Sequence, residues 1–170
     1  MQDFHPILVH IPVAVIPLTV LFGLWRLTNL KSKGMTHAFR ACLVIAVVSS
    51  MLANWTGDKA EEAAEKTVPA ELLDSHERLG TYTMWLVEAA LIVEAATLIS
   101  RLAPWAMPLH ALAFVIMLGS LLTVALAGHR GAQMVYKYGA GVGEVFGPSP
   151  NVTVAPAMGA ASGESREEEE

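Results

Sequence analysis

The sequence predicts an all-α integral membrane protein built as a bundle of four transmembrane helices. Of its 170 residues, 54% are apolar and only 16% are charged, whereas a soluble domain usually contains about 25% charged residues. Charged residues are missing from long blocks, and the alternating pattern of a membrane β-barrel is absent. Such blocks satisfy their backbone hydrogen bonds in lipid only as helices. The four predicted helices cover about residues 5–28, 37–55, 79–101 and 105–127.

The first helix is predicted by an uncharged stretch of 22 residues from Phe4 to Trp25. A helix rising about 1.5 Å per residue crosses a hydrocarbon core of about 30 Å in about 20 residues. The stretch follows Asp3 rather than basic residues and has no small-residue cleavage site, so we expect a retained span and not a signal peptide. Pro12 and Pro17 each remove a backbone hydrogen bond and predict a kink.

The other three blocks are delimited by charge and cover residues 41–57, 79–100 and 102–129. The second of them contains Glu88 and Glu94, and a carboxylate inside a membrane is costly unless it is protonated, paired or facing water. A proton relay, a hydrogen bond to a quinone, a charge partner for a histidine and a structural hydrogen bond all remain open. Glu88 and Glu94 are six positions apart, so their side chains point about 120° apart on a helix and do not form one catalytic pair.

Charges near the helix ends predict the orientation. Basic residues are frequent in the first connection, and acidic residues dominate the second connection at 58–78, so the first connection is predicted inside and both termini outside. A short surface helix is expected at 61–66. The transmembrane domain is assigned to residues 1–143, with a glycine-rich interfacial segment at 128–142 that folds back over the outer end of the bundle. Residues 144–170 are expected to be a disordered acidic tail.

Several functions are excluded by composition. The net charge of −5 leaves no basic surface for nucleic acid. The one cysteine, Cys42, forms no internal disulfide, and no covalent haem motif, metalloprotease motif or phosphate-binding loop is present. A metal ion or haem would therefore be held by histidine, methionine or carboxylate side chains.

Four histidines fall at the predicted outer face, where three different helices each contribute at least one. Neutral imidazole binds haem iron, copper or zinc, and helix bundles commonly build such sites from facing helices. We therefore consider His5, His10, His76 and His129 as cofactor-binding candidates, with two of the last three as axial ligands and His10 first among them. A structural cluster of hydrogen-bonded histidines is the alternative.

Residues 5–14 (HPILVHIPVA) and 128–142 (GHRGAQMVYKYGAGV) resemble the bacterial family named domain of unknown function 2231. The resemblance covers residues 5–142, includes residues 54–57 (NWTG) and His76, and departs at Ala132, where the family has a second glycine. It implies a four-helix membrane protein of the bacterial inner membrane. Related domains occur joined to iron–sulfur or cytochrome-like domains, which implies a redox-associated role.

These observations support three possible functions. The first is an electron-transfer module in which the outer histidines bind b-type haem, or else a metal ion, and which meets a redox partner. The second is a non-catalytic subunit of a larger membrane complex whose histidines and glutamates are structural. The third, a transporter of protons or small solutes, ranks last because four helices are few for a transport path and no internal repeat is visible. Catalysis of a chemical reaction is not predicted.

Overall fold

The computed structural model describes residues 5–29, 32–99 and 104–140, which are α-helical apart from short connections. Four helical segments are long and apolar enough to cross a membrane, and within the described ranges there is no β-strand. The all-α fold class is therefore confirmed. The helices are α1 (His5–Leu8), α2 (His10–Thr28), α3 (Lys33–Ala64), α4 (Ala70–Ala96) and α5 (Ala106–Tyr138).

The long helices form a ring in which α2 packs on α3 and α5, and α4 packs on the same two helices from the other side. Small and apolar side chains meet at the centre, including Ile16, Leu43 and Met117, each of which is fully buried. Large apolar side chains cover the outer surface, such as Ile92, which is 71% exposed. This distribution suits a protein whose outer surface contacts lipid.

The first span is interrupted at Val9, between α1 and α2. Pro12 has no N–H to donate to the carbonyl of Leu8, four residues earlier, so the helical ladder loses a bond at this point. The helical bonds from the N–H of Val9 to the carbonyl of His5, and from the N–H of Val13 to the carbonyl of Val9, nevertheless continue across this point. Pro17 lies inside the continuous helix α2, so a kink at either proline stays a prediction.

Three helices continue well beyond the predicted spans on the same end of the bundle. The acidic stretch at 61–64 continues α3 instead of forming a separate helix, and α4 begins nine residues earlier than predicted. These extensions are stabilised by a second apolar cluster outside the transmembrane core, in which Val68, Leu73 and Met134 are buried.

The predicted glycine-rich interfacial segment is wrong for residues 128–138, which continue α5 as a helix. The reason is that Met134 packs into the second apolar cluster, so tertiary burial outweighs the weak helix propensity of the glycines. The helix ends only at Gly139, whose φ of 68° allows the N–H of Ala140 to reach the carbonyl of Met134. The predicted acidic tail at 144–170 lies outside the described residues.

The two ends of the bundle carry different polar side chains. We call the end that holds His5 and His76 the histidine end, and the opposite end, which holds Arg26, Arg40 and Glu94, the arginine end.

Candidate functional site

His5 connects the first span to α3 at the histidine end. Its Nδ1 lies 3.1 Å from the carbonyl oxygen of Ala53 and 3.2 Å from Oγ1 of Thr56. A carbonyl oxygen only accepts, so the imidazole donates from Nδ1 and is protonated there. The Thr56 hydroxyl itself donates to the carbonyl of Leu52 and so accepts from the histidine. The other ring nitrogen, Nε2, has no hydrogen-bond partner within the described part of the chain.

His76 makes the equivalent connection between α4 and α5. Its Nδ1 donates to the carbonyl oxygen of Ala127 at 2.9 Å, which again leaves Nε2 as an acceptor. The structure therefore places two half-buried imidazoles from two helices at the same end of the bundle, both with the same tautomer.

A glycine borders each of these rings. A methyl group on Gly57 would lie 3.3 Å from Cε1 of His5, and one on Gly131 would lie 3.2 Å from Cε1 of His76. Both distances are shorter than ordinary carbon–carbon contacts, so any larger residue would push the ring away. The two glycines thus define the orientation of the imidazoles.

The two histidine contacts are versions of one arrangement. In each half the accepting carbonyl precedes the bordering glycine by four residues, and an offset of 74 residues relates Ala53 to Ala127 and Gly57 to Gly131. The buried faces of any two helices can be aligned at some sequence offset. That offset need not be the one that relates the two histidine contacts. Here the same offset also aligns the buried residues Phe39, Leu43, Ala46 and Ser50 with Ala113, Met117, Ser120 and Val124. The structure thus reveals a repeat that is not visible in the sequence.

His10 and His129 are placed differently. Both side chains are exposed, and their hydrogen bonds stay within their own segment: His10 contacts the carbonyl of Pro6, and Nε2 of His129 lies 2.8 Å from the amide nitrogen of Gln133. Of the four histidines that the sequence assigns to this end, His5 and His76 are the two that bond the backbone of another helix.

A second polar centre lies at the arginine end and joins all four long helices. Glu94 of α4 has a side chain only 2% exposed, and its Oε1 accepts from Arg26 of α2 at 3.0 Å and from Arg40 of α3 at 2.6 Å. Its Oε2 accepts from Nδ1 of His110 of α5 at 2.7 Å. Arg40 also donates to Oγ1 of Thr97 at 3.0 Å. We refer to Arg26, Arg40, Glu94 and His110 as the Glu94 network.

The hydrogen bonds define the charges within the Glu94 network. Arg26 also bonds Nε2 of His110, and since a guanidinium only donates, this nitrogen is an unprotonated acceptor. His110 is therefore neutral, with its proton on Nδ1. Glu94 accepts from three donors and is the ionised acceptor of the network. The Arg26 guanidinium also lies 5.6 Å from the ring centroid of Phe39, a cation–π contact.

Among the alternatives that the sequence left open for Glu94, the structure contains a hydrogen bond to a histidine, His110, while the opposite charges come from Arg26 and Arg40. Arg26, which sequence analysis did not pair with either glutamate, is buried with it. Glu88 lies outside the Glu94 network and is only half-buried. Sequence reasoning missed Arg40 and His110 as members of the site. The one signal that could have found them is that a buried carboxylate needs hydrogen-bond donors at the same depth in the membrane.

A shallow cleft at the histidine end is lined by acidic side chains, including Glu61, Glu65, Asp74 and Glu77. Across residues 5–29, 32–99 and 104–140, no group of three or more His, Cys, Asp or Glu side chains is arranged to hold a metal ion.

Comparison with protein families gives one match, which covers most of the chain. The family model described as "Predicted membrane protein (DUF2231)" matches residues 2–144. The chain belongs to the DUF2231 family. Comparisons with curated proteins and with solved structures gave no match. The family assignment agrees with the four apolar spans, and the DUF2231 region includes both the histidine pair and the Glu94 network.

Proposed function

We propose that this DUF2231 protein is an electron-transfer module of the bacterial inner membrane in which His5 and His76 hold a b-type haem. One observation carries the proposal: two imidazoles at the histidine end, from different helices, each donate Nδ1–H to a backbone carbonyl and leave Nε2 available. A histidine that binds a metal almost always donates its other ring N–H in this way. The donor set also suits a single transition-metal ion.

The surrounding residues prepare both imidazoles for ligation. The carbonyls of Ala53 and Ala127 hold the protons on Nδ1, which keeps each Nε2 unprotonated and defines the direction of each ring. Gly57 and Gly131 leave the room that the rings need. A haem held by these two imidazoles would supply one-electron transfer. This chemistry fits an electron carrier, and a redox partner is part of the proposal.

The proposal predicts an absorption spectrum. Protein purified in detergent from a host with ample haem should show a Soret band and, after reduction with dithionite, sharp α and β bands. His5→Ala and His76→Ala should each lose most of the signal because one axial ligand is removed. His10→Ala and His129→Ala are the matched controls and should keep it, since these side chains are exposed and bonded locally.

A featureless spectrum, together with metal analysis that finds no stoichiometric metal, would overturn the proposed function. Stoichiometric metal without haem bands would keep His5 and His76 as ligands but change the cofactor. Loss of the bands in the His10 and His129 variants, with retention in the other two, would reassign the ligands.

A second candidate function is a non-catalytic subunit whose polar residues tie helices together. The Glu94 network favours it, because its members come from all four long helices and hold the bundle at one end. The same histidine variants separate the two functions. In a purely structural subunit, His5→Ala would lower the melting temperature without any spectral change.

The orientation is also part of the proposal, with both termini on the periplasmic side. Five basic residues lie in or next to the predicted inner connections: Arg26, Lys31, Lys33, Arg40 and Arg101. Because basic residues near span ends favour the cytoplasm, the arginine end is proposed to be cytoplasmic. We expect green fluorescent protein inserted after Ser32 to fluoresce, and alkaline phosphatase inserted after Thr67 to be active. Each reporter works on only one side of the membrane, so the reverse pattern would show an inverted protein.

A further inference from the structure

The Glu94 network carries an uncompensated positive charge. Arg26 and Arg40 are both cationic, Glu94 supplies one negative charge, and His110 is neutral by its hydrogen bonds. Both carboxylate oxygens already accept from donors of the network. A buried charge without a partner is costly, and within a membrane it usually meets an opposite charge or water.

No second carboxylate of the spans or of the short connections at the arginine end can balance this charge. The sequence has no Asp or Glu between Asp3 and Asp58, and between Glu88 and Glu144 it has only Glu94. These stretches include every helix segment and connection at the arginine end. The same stretches add basic residues there, namely Lys31, Lys33 and Arg101. A compensating anion would therefore have to come from outside these segments.

Arg40 is the member of the network that can reach such an anion. Its side chain is 29% exposed, against 6% for Arg26 and 2% for Glu94. Nε donates to Glu94 and Nη2 to Thr97, while Nη1 has no hydrogen-bond partner within the described part of the chain. The bonds to Glu94 and Thr97 thus hold the guanidinium of Arg40 in place, and its Nη1 is left as a free donor within the described part of the chain.

The depth of Arg40 matches the headgroup region of a bilayer. Trp25 precedes Arg26 directly, and Trp105 lies at the start of α5; both are mostly exposed at this end of the bundle. Exposed tryptophans of membrane proteins concentrate at the boundary between hydrocarbon and headgroups. Lipid phosphates lie in this headgroup layer, at the same depth as the guanidinium of Arg40.

We propose that Arg40, supported by the charge of Arg26, binds the phosphate of an anionic phospholipid in the leaflet at the arginine end. A guanidinium matches phosphate in both charge and geometry, and basic pockets between transmembrane helices are typical sites for anionic headgroups. The bound lipid balances the charge of the Glu94 network. This site is separate from the histidine pair and does not depend on a cofactor there.

The test compares two lipids that differ only in headgroup charge. Delipidated full-length protein in a neutral detergent is titrated with phosphatidylglycerol or phosphatidylcholine of identical chains. Bound lipid is counted by native mass spectrometry, and melting is followed by circular dichroism. We expect phosphatidylglycerol to bind about fivefold more tightly and to raise the melting temperature, as one extra cationic contact near the surface implies.

Two variants locate the effect. Arg40→Gln should remove the preference for phosphatidylglycerol, and Arg40→Lys should retain part of it because the charge stays but the planar fork is lost. Lys33→Gln is the matched control, an exposed cation at the same end, and should leave the preference unchanged. If Arg40→Gln does not fold, the comparison of the two lipids on the unmodified protein and on Arg40→Lys still decides.

Three results would overturn the proposal. The first is equal binding of the two lipids to the unmodified protein. The second is full stabilisation by inorganic phosphate alone, which would identify a site for free phosphate. The third is an equal loss in the Lys33→Gln and Arg40→Gln proteins, which would mean that diffuse surface charge is responsible.

Discussion

Replacing Glu94 by alanine should lower the free energy of unfolding by about 3–5 kcal/mol, the cost typical of removing one partner from a buried ion pair. The variant leaves Arg26, Arg40 and His110 without their common acceptor. Because Arg26 is only 5% exposed, water cannot replace the lost carboxylate. The change would be measured by equilibrium unfolding in mixed detergent and dodecyl sulfate micelles, followed by circular dichroism.

Glu88→Ala is the control for this prediction. Glu88 lies on the same helix but is half-buried and takes no part in the Glu94 network, so its loss should change the free energy of unfolding by about 0.5 kcal/mol or less. Equal losses for the two variants would contradict the role assigned to the network. Adding Arg26→Met to Glu94→Ala should recover part of the loss, because it removes a buried charge that has lost its partner.

The second large effect is expected at Gly23, where α2 approaches its neighbours most closely. A methyl group at this position would lie 2.8 Å from Cδ2 of Phe114 and 3.0 Å from Cε2 of Phe39. Both atoms belong to rings packed in or against the core, which have little room to move. Gly23→Ala should therefore destabilise the bundle by about 1–3 kcal/mol, as overpacked cores usually do.

Gly80→Ala provides the matched comparison. Gly80 is also inside a helix, but a methyl group there would meet no atom within 4 Å. The higher helix propensity of alanine should then leave stability unchanged or raise it by up to about 1 kcal/mol. The two variants would be compared by their melting temperatures. If Gly23→Ala melts as high as Gly80→Ala, the close packing of α2 against the phenylalanines is wrong.

Sequence reasoning was effective for features that depend on one segment. Its angular argument separated Glu88 from Glu94, and the structure places these two side chains in different surroundings: Glu94 is buried and Glu88 is half-buried. It also identified Glu94 as a residue in need of a partner. The partners could not be named, because Arg26 and Arg40 lie 68 and 54 residues away along the chain.

The helix ends were predicted less well, for a physical reason. The end of the apolar stretch marks where a helix leaves lipid, not where it ends. Residues beyond that point stay helical when they bury apolar side chains, as Val68, Leu73 and Met134 do. Such burial joins α5 to the connection before α4 and to the start of α4, and Met134 is more than 60 residues from Val68 and Leu73 in the sequence.

By itself, then, the sequence determined the number of spans, their approximate positions and the set of polar residues that need partners. These are local properties, since each segment in lipid must satisfy its own backbone and each buried charge has its own cost. Only the tertiary structure decided that His5 bonds α3, that His76 bonds α5, and that Glu94 accepts from donors on three other helices. Those choices depend on how the helices rotate and pack against one another, and no single segment contains that information.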